Sequence, residues 1–207
     1  MNNMLRKLRA SCLALCFVLT LTLNASARQD GDIQAAEQYL AGHELQLKET
    51  TRPIQRITLL RNLAPAALAA GKVEKARTYA QELVSLGEAQ SKYVDASGQA
   101  VHIGNLVLGR IALAAGKVGK AKEYLLAAGR AAASSTLKSF GPNMLLAKEL
   151  IEKGERDAVV EYLDLCAKFW ERDEGRLEQW KNIVRQGGVP NFGFNLTAGL
   201  SSWRYAK

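Results

Sequence analysis

Apolar side chains recur every three or four residues along most of the chain, the spacing that gathers them on one face of an α-helix. From Asp32 to about Lys48 they are Ile33, Ala36, Tyr39, Leu40, Leu45 and Leu47, with an irregularity near Gly42. Pro53 then suits the first turn of a new helix, where its fixed φ fits and its missing amide is not needed. Ile57, Leu60, Leu63 and Ala67 follow on one face, and Pro65 predicts a kink because proline removes a hydrogen bond in mid-helix. Gly71 stops that helix. Val73, Ala76, Ala80, Leu83 and Leu86 form the apolar face of its successor, so residues 53–87 read as a helical hairpin.

The plan returns twice. Leu106, Ile111 and Leu113 precede a turn at Gly116, and Val118, Ala121, Leu125 and Ala128 follow it. Between these hairpins, Glu88 to Gln99 reads as an inserted connection broken at Ser97-Gly98. In the third hairpin Gly141-Pro142-Asn143 begins a helix carrying Leu146, Ala147, Leu150 and Ile151, with Pro142 in its first turn and Ser139 or Asn143 as its cap. Gly154 leads into a helix with Ala158, Tyr162, Leu165 and Phe169. A last helix, from about Glu174 to Arg185, carries Leu177, Trp180 and Ile183 before Gly187-Gly188 and a tail of turn formers. Trp170 and Trp180 are placed to anchor it on the third hairpin. Phe192, Phe194 and Trp203 have no periodic face to join; the tail is expected to pack back into the concave side of the array because exposed aromatic patches cost solubility, the alternative being that it offers these side chains to a partner.

Identity repeats as well as periodicity. The run Ala69-Ala70-Gly71-Lys72-Val73-Glu74-Lys75-Ala76 returns as Ala114-Ala115-Gly116-Lys117-Val118-Gly119-Lys120-Ala121, each preceded by Leu and followed three residues later by Tyr. The spacing Leu108-Gly109-x-x-Ala112-x-x-x-Gly116-x-x-x-x-Ala121-x-x-Tyr124-Leu125-x-x-Ala128 resembles the tetratricopeptide repeat, and Ala64, Ala67, Gly71, Ala76, Tyr79, Ala80 and Leu83 occupy the same positions in the first unit. In the third, Leu146, Ala147, Leu150, Gly154, Tyr162, Leu163 and Cys166 match, and Val159 replaces the small alanine. The resemblance implies an all-α fold of about three stacked antiparallel helix pairs, with an extra helix at each end. The turn glycines lie 45 residues (71 to 116) and 38 residues (116 to 154) apart where the family keeps about 34, so extra residues are expected to bulge from the connections. The runs Val101-His102-Ile103-Gly104-Asn105, Ser139-Phe140-Gly141-Pro142-Asn143-Met144 and Tyr162-Leu163-x-Leu165-Cys166-x-x-Phe169-Trp170 further resemble a group of uncharacterised exported bacterial repeat proteins, a likeness that implies no activity.

The amino end has a different character. Arg6, Lys7 and Arg9 precede an apolar stretch from about Ser11 to Leu23 and the small-residue run Ala25-Ser26-Ala27, the order of a bacterial secretory signal peptide cleaved after Ala27. The apolar stretch is about 13 residues, short of the roughly 20 a bilayer span needs, and none follows that is long enough. Leu15 before Cys16 is not the small residue a lipid anchor requires. The chain thus divides into a leader at 1–27, a capping helix at 28–52, a helical-repeat domain at 53–170, a C-terminal helix at 171–188 and an irregular tail at 189–207. Cleavage takes the 28 basic residues to 25 against 20 acidic, a formal charge of +5. Acids and bases alternate, as in Glu152-Lys153-Gly154-Glu155-Arg156-Asp157, which reads as solvated helix faces and argues against nucleic acid. Cys166 keeps no partner once Cys12 and Cys16 leave, and its place on an amphipathic helix is that of a small buried hydrophobe.

Catalytic patterns are missing. His43 and His102 stand at no metal-pair spacing, no Gly-x-Ser-x-Gly elbow or phosphate loop occurs, and Glu149, Glu152 and Glu155 read as a charged solvent face. Ser139 and His102 are a conceivable pair only through helix packing. No metal or cofactor is implied. The polar residues that packing does not ask for are His102 and Asn105, three apart on one helix face, with Arg110 and Asn143. These four are the candidate partner contacts. For His102 the competing role is a tie to the Tyr93–Gly98 connection, for Asn105 a bond to a neighbouring carbonyl. The sequence reads as a non-catalytic protein- or peptide-binding module of the bacterial cell envelope, periplasmic or secreted, with no membrane span after cleavage. A small-ligand receptor or enzyme on a helical scaffold, or a purely structural envelope component, are the competing classes. Mass spectrometry of the exported chain is expected to give Arg28 as the first residue, and a chain that keeps Met1 would remove the leader reading.

Overall fold

The computed structural model describes residues 30–200; the leader and Trp203 lie outside them. Among the described residues the protein is all-helical and has no strand. The helices are α1 (residues 30–49), α2 (Pro53–Ala69), α3 (Val73–Ala89), α4 (Val94–Ala114), α5 (Val118–Gly129), α6 (Ser135–Phe140), α7 (Leu145–Glu152), α8 (Arg156–Cys166) and α9 (Arg176–Arg185). A short 3-10 turn follows at Gly193–Leu196. Successive helices pack as α2 on α3, α3 on α4, α4 on α5 and α7 on α8; α5 packs on α8, and α9 on α8.

Three of the connections share one geometry. Gly71, Gly116 and Gly154 have φ of 70°, 72° and 87°, the region where only glycine escapes a Cβ penalty. In each, the glycine amide donates to a carbonyl three residues back (Leu68, Leu113, Ile151) and the next amide to one five back (Ala67, Ala112, Leu150). That pair of bonds is the Schellman helix end, which satisfies carbonyls the helix leaves unpaired. Gly187 and Gly188 end α9 in the same way, on Val184 and Ile183. Five, nine and twelve residues after the three turn glycines, every side chain is fully buried: Ala76, Ala80 and Leu83; Ala121, Leu125 and Ala128; Val159, Leu163 and Cys166.

α4 is the central helix. Ile103, Val107, Leu108 and Ile111 join a core made with α1, α2 and α3, while Leu106 and Ala112 join a second core built from α5, α7, α8 and α9. α1 is tied to the first core by Lys75 to Glu44 at 2.6 Å and by Arg56, which bonds Glu82 at 2.6 Å and donates to the carbonyls of Leu47 and Thr50. At the other end, Trp180 lies between Trp170 and Phe192, with ring centroids 5.6 and 5.0 Å away, so aromatic packing holds both α9 and the start of the tail.

The structure corrects several expectations. Ser97-Gly98 is not a break: α4 runs straight through it, and the connection shrinks to residues 90–93. Glycine is needed there because the Ala132 backbone crosses the helix, its carbonyl oxygen 2.1 Å from where a Cβ would sit. The extra residues between Gly71 and Gly116 therefore lengthen α4 to 21 residues rather than bulging from a loop. Gly141-Pro142-Asn143 does not begin a helix; residues 141–144 are irregular, and α7 starts at Leu145. A short helix, α6, precedes them, capped by the Ser134 hydroxyl accepting from Leu137 N and by Asp95 of α4, whose Oδ1 accepts from Ser135 N at 2.6 Å. Leu45 is exposed, and the buried face of α8 is Val159, Tyr162, Leu163 and Cys166 rather than the stripe through Ala158 and Leu165.

The two kinds of helical glycine separate in a denaturation experiment. Gly98→Ala is expected to cost about 2–3 kcal/mol, since the nearest atoms its Cβ would displace belong to the Ala132 backbone. Gly119→Ala in α5, where nothing lies within 4 Å, is expected to stabilise by about 0.5–1 kcal/mol. Urea melts of both variants check the pair.

Candidate functional site

Residues 141–144 are irregular and all four are buried, a combination that leaves backbone groups unpaired unless side chains reach them. His102 of α4 does so from one side: its Nε2 accepts from Asn143 N at 3.2 Å. Tyr162 of α8 donates its hydroxyl to the Asn143 carbonyl at 3.0 Å. From the tail, Asn195 Nδ2 donates to the carbonyls of Phe140 and Pro142, at 3.0 and 2.9 Å, and its own carbonyl accepts from Met144 N. The Asn143 side chain completes the set: Oδ1 accepts from Leu145 N at 2.8 Å, and Nδ2 donates to the carbonyls of Leu196 and Ala198. One buried joint thus links α4, α6, α7, α8 and the tail.

The four candidate contacts fall in two places. His102, Asn105 and Asn143 are buried, and Asn105 donates to the Val101 carbonyl of its own helix at 2.8 Å, the neighbouring-carbonyl role weighed for it. His102 ties Ala128 and Asn143, not the Tyr93–Gly98 connection. Ser139 makes no bond to either ring nitrogen. Only Arg110 is half-exposed, its Nε and Nη2 on the Glu149 carboxylate at 2.8 to 3.0 Å.

Burial pushes the His102 imidazole down to about 4, and the Ala128 carbonyl at 3.0 Å from Nδ1 offsets only part of that. The ring is therefore neutral at pH 7, with Nδ1 donating to Ala128 and Nε2 accepting from Asn143. Burial also raises the Tyr162 hydroxyl and the Cys166 thiol, so neither ionises at neutral pH. Asn195, within an Asn-x-Thr sequon, is 2 % exposed with both amide protons bonded, which leaves a glycan no room in this fold.

Arg110 and Glu149 lie in the wall of a cleft of about 660 Å³. Ile33, Leu68, Leu113 and Leu145 supply its apolar surface, and Asp32, Glu152 and Lys153 add charges of both signs. Its walls come from the start of α1, the ends of α2 and α4, and α7. On α4, Ile103, Val107, Arg110 and Ala114 share one face, and the tail lies over the Ile103 end through Gly199 and Leu200. No three His, Cys, Asp or Glu side chains among the described residues are placed to hold a metal ion, and no described helix is long and apolar enough to cross a membrane.

Sequence reasoning passed over Asn195, Glu149 as the partner of Arg110, and α6. Ser134 just before Ser135-Thr136-Leu137 was a usable helix-start signal. Nothing around Asn195 marks it, since its partners lie more than 50 residues away in sequence.

Because the folded His102 pKa lies below its unfolded value near 6.5, the unfolded chain binds the extra proton between about pH 6.5 and 4. The neutral ring's contribution is complete above pH 6.5 and is lost as pH falls toward 4, by roughly 3 kcal/mol. His102→Leu is expected to be less stable than the parent at pH 7, with the gap closing by about that amount at pH 4; urea melts at several pH values measure it.

In comparisons with known proteins, no family model, no curated protein and no solved structure matches this chain.

Proposed function

We propose that the chain is an exported, non-catalytic protein- or peptide-binding module of three tetratricopeptide-like hairpins, α2–α3, α4–α5 and α7–α8, flanked by α1 and α9. The three matching turns and the matching buried positions after them support the repeat reading. The cleft carries the functional reading: its walls include the first helix of every hairpin, where such an array holds an extended segment.

The cleft's chemistry suits a peptide of mixed character. Arg110 and Glu149 form a half-exposed pair, worth no more than about 1 kcal/mol to the fold, so either partner can turn to an incoming charge at little cost. Leu68, Leu113 and Leu145 offer apolar area beside them. The described tail covers the Ile103 end of the same face and leaves the Arg110 end uncovered, which favours binding over a purely structural role. An enzyme would need His102 joined to an acid in a pocket; among the described residues the cavity beside His102 has no acidic one in its lining.

A photo-crosslinking amino acid at Leu113 or Lys153 tests the proposal in envelope extracts. A discrete adduct is expected from these positions and not from Thr78, which is exposed on α3. Arg110→Glu is expected to reduce the adduct at least fivefold with an unchanged helical spectrum. No adduct from either cleft position, or the same adduct from Thr78, would refute the cleft as a binding surface.

A further inference from the structure

A second concavity lies beyond the joint. It measures about 150 Å³ and is lined by Ile103, Leu137, Phe140, Phe194, Ala198 and Gly199, together with the polar Gln99, His102, Thr136 and Asn143. Those polar groups are already engaged. His102 bonds Ala128 and Asn143; the Asn143 side chain bonds Leu145, Leu196 and Ala198. Gln99 donates to Thr136 Oγ1 at 3.0 Å and accepts from Arg61 at 2.7 Å. Among the described residues no ionisable side chain other than neutral His102 lines the cavity, so a charged ligand would lose its hydration with nothing from them in return.

Its mouth is marked by two exposed rings, Phe140 at 60 % and Phe194 at 65 % exposure. Phe140 sits on the last turn of α6 and Phe194 in the 3-10 turn, so two separate elements present aromatic surface to solvent at one opening. The wall is also preformed. Ala198 is held by Asn143, and the Phe194 turn by Asn195, so a ligand need not order the tail on binding.

We propose that this cavity binds one compact, uncharged apolar ring. A cavity of about this size accommodates a benzene-sized group, and the Phe140 and Phe194 rings can meet it edge to face. The ring can arrive as a free small molecule or as a phenylalanine side chain, since both present the same surface. The inference is independent of the Arg110 cleft.

Methyl NMR of the full chain tests it with three probes: toluene, a capped Gly-Phe-Gly peptide, and benzoate. Toluene is expected to shift the Ile103 and Leu137 methyls saturably, and benzoate to bind at least tenfold more weakly. Ala198→Leu fills the cavity and is expected to weaken toluene at least tenfold. Phe194→Ala, at an exposed site that the fold does not need, is expected to weaken it at least threefold and guards against a folding defect in the first variant. Peptide affinity equal to that of toluene would assign the site to side chains, and weaker peptide binding to free molecules; both support a ring site. Unsaturable shifts, benzoate binding as tight as toluene, or full affinity in Ala198→Leu would overturn it. Arg110→Glu is expected to leave toluene binding unchanged, which keeps this result separate from the cleft.

Discussion

The structure turns on the need to pair a stretch of buried backbone that no helix pairs for itself. Residues 141–144 pass through the interior without regular structure, and each backbone group left without a partner there would cost about 1–3 kcal/mol. Three residues from distant parts of the chain meet the demand, His102, Tyr162 and Asn195, and the Asn143 side chain within the stretch in turn ties Leu145 and the tail. Both ring nitrogens of His102 are engaged, and the Asn143 and Asn195 amide groups each donate twice. A network tied at these points specifies one arrangement, because moving any member strands a partner in a low-dielectric interior.

This makes the tail part of the fold. Asn195 and Asn143 hold its backbone, Phe192 packs edge-on to Trp180, and Leu200 joins the core of the first half of the molecule. A segment rich in Gly, Asn and Ser would otherwise lack the apolar area to offset its ordering entropy. His102 shows the same coupling from the other side. Its residue type invites a functional reading, yet its geometry is that of a neutral two-ended bridge whose protonation would remove an acceptor that Asn143 N requires.

The parts of the fold legible in the sequence were those set by local chemistry. The turn glycines at 71, 116 and 154 announce themselves because a left-handed helix end tolerates few other residues, and the apolar spacing around them places Ala76, Ala121 and their neighbours in the core. Legibility failed where distant backbone decides the outcome. Gly98 looks like a helix breaker, and only the Ala132 carbonyl against it explains why it sits in mid-helix. Pro142 looks like a helix start, yet its carbonyl is bonded by Asn195 and the helix begins three residues later. Of the candidate site, Arg110 was placed in a cleft, but its Glu149 partner lies 39 residues away on another helix and carries no local signature.

The cavity follows from one departure in helix length. α2 runs 17 residues and α4 21 before their turn glycines, whereas α7 has 8. A helix nine residues shorter than α2 leaves roughly 13 Å of neighbouring surface uncovered at 1.5 Å per residue. The irregular joint, α6 and the tail occupy that space instead. Because they are short and irregular they fill it incompletely, and the apolar cavity beside Ile103 and Leu137 is what they leave. Past the joint, α7 resumes and brings Glu149 against Arg110, so the face of α4 has one end covered by the described tail and one end that the described residues leave open. The cavity therefore lies where the helical pattern is interrupted and the cleft where it resumes, with the polar network that repairs the interruption between them.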